Sequence, residues 1–189
     1  MHILVPSYTI ETHKGFMKHD FFLIGSDNVE LTELFKMQKQ LDAYIKENNG
    51  VEREVFREKL LALTVELAEL ANETRCFKFW SRKGPSTKPV LIEEYVDSIH
   101  FLLSLGILKG MDDLKQWPEG EEDEDLTELF LRTQRAVLDF GERQDRASYE
   151  SVWILYKAIA ETLGFTADEL IQAYREKNEE NYARQQRGY

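Results

Sequence analysis

From Val29 onward, apolar positions recur at three- and four-residue spacing, the period of a helix that buries one face. Leu31, Leu34, Phe35, Leu41 and Ile45 form the first such stripe. It follows the capping candidates Asp27 and Asn28 and ends near Asn49-Gly50. The pattern predicts a second helix from about Val51 to Thr74 and a third from about Lys88 to Lys109. Shorter helices are expected over 126–140, 147–163 and 166–186. Residues 1–28 show no helical period; they are aromatic-rich with a short apolar run at Phe21 to Ile24, and read as an extension with room for a short strand. No strand pattern, internal repeat or interdomain linker follows. The expected fold class is all-α: a helical bundle around one core over residues 29–189, preceded by a short irregular N-terminal extension.

Two of these helices carry acids among apolar residues. In the second, Glu66, Glu69 and Glu73 share one narrow stripe at about 100° per residue, with Leu63, Leu70 and Ala62 beside it. From Leu60 to Ala71 the helix is apolar almost all round apart from these acids and Thr64, so it is expected to be buried. In the third, Glu94 and Asp97 stand three apart within a run of Val, Leu, Ile, Tyr and Phe. Bare carboxylates in such surroundings cost on the order of several kcal/mol each, or take up protons, unless a cation compensates. If the two helices face each other, Glu66, Glu69, Glu94 and Asp97 converge on one point. An all-oxygen set of that kind suits Mg²⁺ or Mn²⁺ better than zinc. The other reading is exposed or salt-bridged acids, which are common at this spacing; two pairs on the two most apolar helices favour the metal. Glu73, nearer the helix end, is assigned to solvent or a salt bridge.

Between the acid pairs lies a basic island, Arg75, Lys78, Arg82, Lys83 and Lys88, with no acid from Arg75 to Lys88. Hard oxygen ligands beside basic side chains are what a polyphosphate requires, although each base singly also fits a solvated loop. Phe79 and Trp80 could stack on a base or serve as plain core. Gln38 lies on the apolar stripe of the first helix with Asp42 one turn later. Amide and carboxylate together offer donors and acceptors for a nucleobase edge; a core Gln bonded to backbone is the equal alternative. Near the C-terminus, Lys177, Asn178, Asn181 and Arg184 fall on one side within about two turns. They form either a ligand-gripping face or an ordinary frayed polar helix, and the frayed helix is the default.

Composition narrows the function classes. The net charge of −11 makes sequence-independent nucleic-acid binding unfavourable. The most apolar stretch, Val90 to Leu108, is broken by Glu93, Glu94 and Asp97, so no membrane span is expected, and the N-terminal run has no basic leader. Cys76 alone cannot form an internal disulfide, which fits a reducing, cytoplasmic setting. Glu119 to Asp125 holds six acids in seven positions and is expected to be a solvated loop rather than a metal site. A carboxylate-bridged di-iron bundle needs two Glu-x-x-His motifs, and of the four His only His100 lies near the acids.

At this point the residues resemble a known family, the all-α nucleoside triphosphate pyrophosphatases that include the MazG-like proteins and the dimeric dUTPases. The shared signature, Glu-x-x-Glu followed by Glu-x-x-Asp, stands here as Glu66-Leu-Ala-Glu69 and Glu94-Tyr-Val-Asp97, with residues 70–93 between. The dimeric dUTPase branch is suggested by KMQKQLDAY around Gln38 and Asp42, FKFWS at 77–81, and KNEENYARQQRGY at the C-terminus. The resemblance implies that Glu66, Glu69, Glu94 and Asp97 hold Mg²⁺, with Glu69 orienting or deprotonating the attacking water. It implies Lys78 and Trp80 on the phosphate and pocket side, and Gln38 and Asp42 at the base. Lys177, Asn178, Asn181, Arg184 and Tyr189 would contact phosphates and sugar. Relatives often carry Asn where Asp42 stands. The implied activity is Mg²⁺-dependent hydrolysis of a nucleoside triphosphate, dUTP foremost, to the monophosphate and pyrophosphate by a homodimer. Alternatives are a housekeeping pyrophosphatase for dCTP or a damaged nucleotide, and a non-catalytic helical interaction module.

Overall fold

The structure is a computed structural model that describes residues 29–120 and 124–188. The extension 1–28, part of the acidic loop (121–123) and Tyr189 lie outside the described residues. Six helices account for the regular structure: α1 (Leu31–Asn48), α2 (Phe56–Thr74), α3 (Lys88–Leu108), α4 (Leu126–Arg143), α5 (Arg146–Thr162) and α6 (Ala167–Gln186). Among the described residues, extended pairing is confined to a single bridge between Glu30 and Gln116. The all-α expectation holds.

Local chemistry sets most of the boundaries. Asp125 caps α4 by accepting from the backbone N–H of Thr127 and Glu128, and Asp145 caps α5 by accepting from Ser148 N–H. Thr166 and Glu169 form a reciprocal capping box at the start of α6. After α3 the chain turns at Gly110, whose φ of 68° favours a residue without Cβ. One boundary departs from expectation: α2 begins at Phe56, not near Val51, and residues 51–55 connect it to α1. Val51 and Val55 face a cavity there instead of continuing a helical stripe.

α3 is the central rod, packed against α1, α2 and α6, while α4 and α5 pair with each other and α4 reaches α2. Its buried residues run from Leu91 to Gly106 and include Tyr95, Leu102, Leu103 and Leu105. Close approach is required where Tyr149 of α5 crosses α3: its hydroxyl donates to the Leu102 carbonyl at 3.0 Å, and a Cβ on Gly106 would collide with that hydroxyl. Trp117 enters the same core and donates from Nε1 to the Trp153 carbonyl at 2.7 Å. The start of α1 is tied to the chain after α3 by Leu31 N–H donating to Lys115 O at 2.8 Å. α6 is docked rather than frayed: Tyr174, Lys177 and Asn178 are buried, and Tyr44 of α1 meets Tyr182 with ring centroids 5.0 Å apart.

The expectation that α2 is buried all round requires correction. Leu63, Leu67 and Leu70 face the core, but Leu61 and Val65 on the opposite side are 66% and 45% exposed. On α4, which packs on α2, Leu131 and Leu138 are exposed as well. Each of these side chains is exposed, and among the described residues no element covers it.

Candidate metal centre and nucleotide cavity

The packing of α2 on α3 brings together acids that are distant in sequence. Oxygen atoms of Glu66, Glu94 and Asp97 lie within 4.8 Å of one another. Glu69, one turn beyond Glu66, is exposed and stands outside this trio, although its charge acts on both Glu66 and Glu94. Burial, followed by the charges of Asp97, Glu69 and Glu94, pushes the Glu66 carboxyl up to about 7. Glu94 is raised by burial and then by Glu69 and Asp97. Asp97 is raised chiefly by burial, opposed by its hydrogen bond to Lys177. Clustered, partly desolvated carboxylates with raised proton affinity form a site short of positive charge.

The ammonium of Lys177 meets part of that deficit. It is buried, 2.8 Å from Asp97 Oδ2 and 2.9 Å from Glu93 Oε1. Burial works against its charge, but these bonds outweigh the cost and its pKa is raised. Glu66 and Glu94 have no such ammonium among the described contacts. Three converging carboxylates with only oxygen donors fit a hard divalent cation, and the raised proton affinities show what the cluster gains from one. Glu73 is separate: the Ser86 hydroxyl and Asn72 Nδ2 donate to its carboxylate.

Beside the trio opens a cavity of about 390 Å³. Glu66 and Asp97 line it together with the polar side chains of Gln38, Asp42, Lys59, His100 and Ser104, and Asn181 and Arg184 come from α6. Gln38 and Asp42 are bonded to each other, with Gln38 Nε2 donating to Asp42 Oδ1 at 3.0 Å. Asp42 also holds Lys59 Nζ at 2.8 Å and accepts from the Ser104 hydroxyl, which itself accepts from Lys59. Tyr174 OH donates to Gln38 Oε1 at 2.9 Å, and His100 Nδ1 lies 2.8 Å from the same oxygen. A carbonyl oxygen only accepts, so His100 carries its proton on Nδ1 and presents a lone pair at Nε2. Burial lowers the His100 pKa to about 3, with the charge of Lys177 adding to the effect, so the ring is neutral. Its Nε2 has no hydrogen-bond partner.

Other expected positions stand apart. Trp80 is 66% exposed and packs edge-on against Phe77 and Phe79, and Lys78 Nζ donates to Asn72. Neither lines the cavity. Of the basic island, Lys88 pairs with Glu169 and Arg75 donates to Ser81. Arg184 is bonded to Glu180 and also borders the cavity. In the acidic loop, Glu124 pairs with Arg132 at 3.0 Å, Asp125 serves as a cap, and Glu119 lies 3.9 Å from Lys157.

Sequence reasoning missed Lys59 and Ser104 and treated His100 only as a possible iron ligand. A signal was present: His100 and Ser104 follow Asp97 at three and seven residues, and Lys59 precedes Glu66 by seven, so each shares a helical face with a cluster acid. Among the described residues no helix is long and apolar enough to cross a membrane. No curated protein matches the chain. A family model described as dUTPase, however, spans residues 30–189, from the start of α1 through every side chain of the carboxylate trio and the cavity. The chain thus belongs to the dUTPase family, whose members are hydrolases acting on the phosphoanhydride of a nucleoside triphosphate.

Proposed function

We propose that this chain hydrolyses dUTP to dUMP and pyrophosphate with Mg²⁺ held by Glu66, Glu94 and Asp97, and with Glu69 acting on the attacking water. The observation that carries this reading is the carboxylate trio at the side of a nucleotide-sized cavity. A divalent ion there supplies Lewis-acid polarisation of phosphoryl oxygens and neutralises charge on the leaving group. Glu69 sits beside the trio and outside it, which suits a carboxylate that accepts the water proton. The water oxygen bonds to phosphorus as the anhydride P–O bond breaks, and pyrophosphate departs with that electron pair. Asn181 and Arg184 on the cavity wall serve the phosphates and sugar, with Lys177 and Asn178 behind them. Lys78 and Trp80 are outside this cavity and take no part in the reading.

The exposed apolar residues of α2 and α4, together with Phe79 and Trp80, support a homodimer, because the described residues of one chain leave them in water. With one free cysteine and no disulfide possible within the chain, a cytoplasmic setting is part of the same reading. Pyrophosphate release from a panel of nucleoside triphosphates, with Mg²⁺ and with excess EDTA, tests it. Release from dUTP that stops with EDTA and returns with Mg²⁺ is expected. Undiminished activity in EDTA refutes the metal site, and a different preferred base refutes the substrate.

A further inference from the structure

We propose that Glu93, an acid outside the carboxylate signature, is a positioning residue: once a divalent ion takes Asp97, Glu93 keeps the Lys177 ammonium, and with it α6, docked beside the loaded centre. This role rests on the metal site of the proposed hydrolysis and adds to it a residue that touches neither metal nor substrate.

Asp97 serves two neighbours. It stands three residues after Glu94 and four after Glu93, so on α3 it lies between an acid that joins the trio with Glu66 and one that meets α6. Its Oδ2 is 2.8 Å from Lys177 Nζ, and its carboxylate is also one of the three that converge. These are competing uses of one group. A divalent ion bound there draws on the charge that compensates the ammonium, and repels the ammonium itself.

Few anions are then left for Lys177. Glu93 Oε1 accepts from Nζ at 2.9 Å. Glu180 Oε2 is 3.9 Å away, beyond hydrogen-bond reach, while Glu180 Oε1 accepts from both Nε and a terminal nitrogen of Arg184. Among the described residues, Glu93 is thus the one carboxylate besides Asp97 that the ammonium bonds. The Lys177 side chain is only 8% exposed, so water supplies little in place of an anion. Without Glu93, the loaded centre would face a buried cation with no partner. Either the ion then binds less tightly, or Lys177 swings out and α6 loosens. Asn181 and Arg184, which α6 brings to the cavity wall, stand about one and two turns beyond Lys177 and would move with it.

The metal-free protein behaves differently, which separates this role from that of an ordinary rim salt bridge. There Asp97 pairs the ammonium, and Glu93, whose side chain is 57% exposed, adds little, as solvated partners do. With the ion bound, Glu93 holds the ammonium by itself.

Hydrogen exchange of the α6 amides and calorimetric Mg²⁺ binding, both on the full chain, test the assignment. In EDTA, Glu93→Gln is expected to match the wild type within about twofold in α6 protection. With saturating Mg²⁺ the wild type keeps that protection, whereas the variant loses at least about fivefold and binds Mg²⁺ about fivefold more weakly. In a Lys177→Met background the same substitution should change Mg²⁺ affinity by less than about twofold, since no ammonium remains to be held. Should Lys177→Met fail to fold, the exchange comparison on Glu93→Gln decides alone. An equal loss of Mg²⁺ affinity in both backgrounds would mean that Glu93 acts only as a nearby negative charge. An equal loss of protection in EDTA and in Mg²⁺ would make it a plain structural contact. Either result overturns the proposal, as does a variant that behaves as wild type with Mg²⁺. The two readings separate when pyrophosphate release from dUTP is measured alongside. The expected Glu93 dependence without turnover sinks the hydrolysis and keeps the positioning role; turnover without that dependence sinks the positioning role alone. A wild type that binds no Mg²⁺ sinks both.

Discussion

Lys177 Nζ lies 2.8 Å from Asp97 Oδ2, so a buried ammonium on α6 is bonded to an acid of the α2–α3 cluster. The contact ties the C-terminal helix to the candidate metal centre and supplies the cluster with positive charge.

Removing that ammonium leaves Asp97 and Glu93 without their partner. Lys177→Met is expected to destabilise the metal-free protein by about 1–3 kcal/mol, less than the roughly 3–5 kcal/mol of a fully buried pair because Glu93 is largely solvated. Mg²⁺ should recover part of the loss. Urea denaturation in EDTA and in saturating Mg²⁺ measures both, and identical midpoints for variant and wild type would show that the pair contributes nothing.

Asp97→Asn and Glu69→Gln change charge and hardly change volume. Each should lower dUTP turnover by at least about 10²-fold, the scale of losing a proton acceptor or a charge-bearing ligand, with the helical circular dichroism intact. Asp97→Asn should also weaken Mg²⁺ binding, whereas Glu69→Gln should leave it largely unchanged. Near-normal rates in either purified variant would contradict the role assigned to it.

The Glu66 carboxyl, raised to about 7, gives the metal-free protein a defined pH response. The folded state holds a proton there that the unfolded chain releases near 4.5, so this group's stabilisation is complete below about 4.5 and is lost as pH rises through about 7. His100, lowered to about 3, acts in the opposite direction over the range in which free histidine titrates. Comparing wild type with Glu66→Gln in EDTA isolates the first effect. The variant should lack a fall in stability with pH that corresponds to at most about one proton. Parallel profiles would remove Glu66 from the linkage. Mg²⁺ affinity should decline below pH 7 in the wild type, since protons compete for the same oxygens.

Gly106 and Tyr149 offer a test of the packing alone. A methyl group at Gly106 collides with the Tyr149 hydroxyl and displaces its hydrogen bond to Leu102. Gly106→Ala is expected to cost about 1–3 kcal/mol, the scale of overpacking a tight core. Tyr149→Phe/Gly106→Ala should recover little of it, because the ring carbon beneath the hydroxyl would still lie 2.6 Å from the new methyl group. Thermal melts of the two variants decide; an unaffected single variant would mean that the crossing of α5 over α3 is looser than described.

The helices were legible because their signals are local. Periodicity marked all six, and the polar residues Asp125, Asp145 and Thr166 stop and start them by bonding to backbone a few residues away. Glu66, Glu94 and Asp97 could be picked out because carboxylates amid Leu and Val need an explanation wherever the helices go. The start of α2 was misplaced since Val51 and Val55 mimic helical spacing while serving the cavity. The outward face of α2 was misjudged because composition cannot distinguish a buried apolar face from an exposed one.

The sequence by itself determined the helical class, the acids set among apolar residues and the candidate polar face of α6, since each follows from the spacing of side chains along a single rod. Only the tertiary structure decided that Glu69 stays outside the trio, that Lys177 meets Asp97, and that Asp42 is committed to Lys59 and Ser104. These depend on how α1, α2, α3 and α6 are rotated against one another. Interatomic distances between rods, which govern Coulomb and hydrogen-bond energies over a few ångströms, are not encoded in the spacing within any one of them.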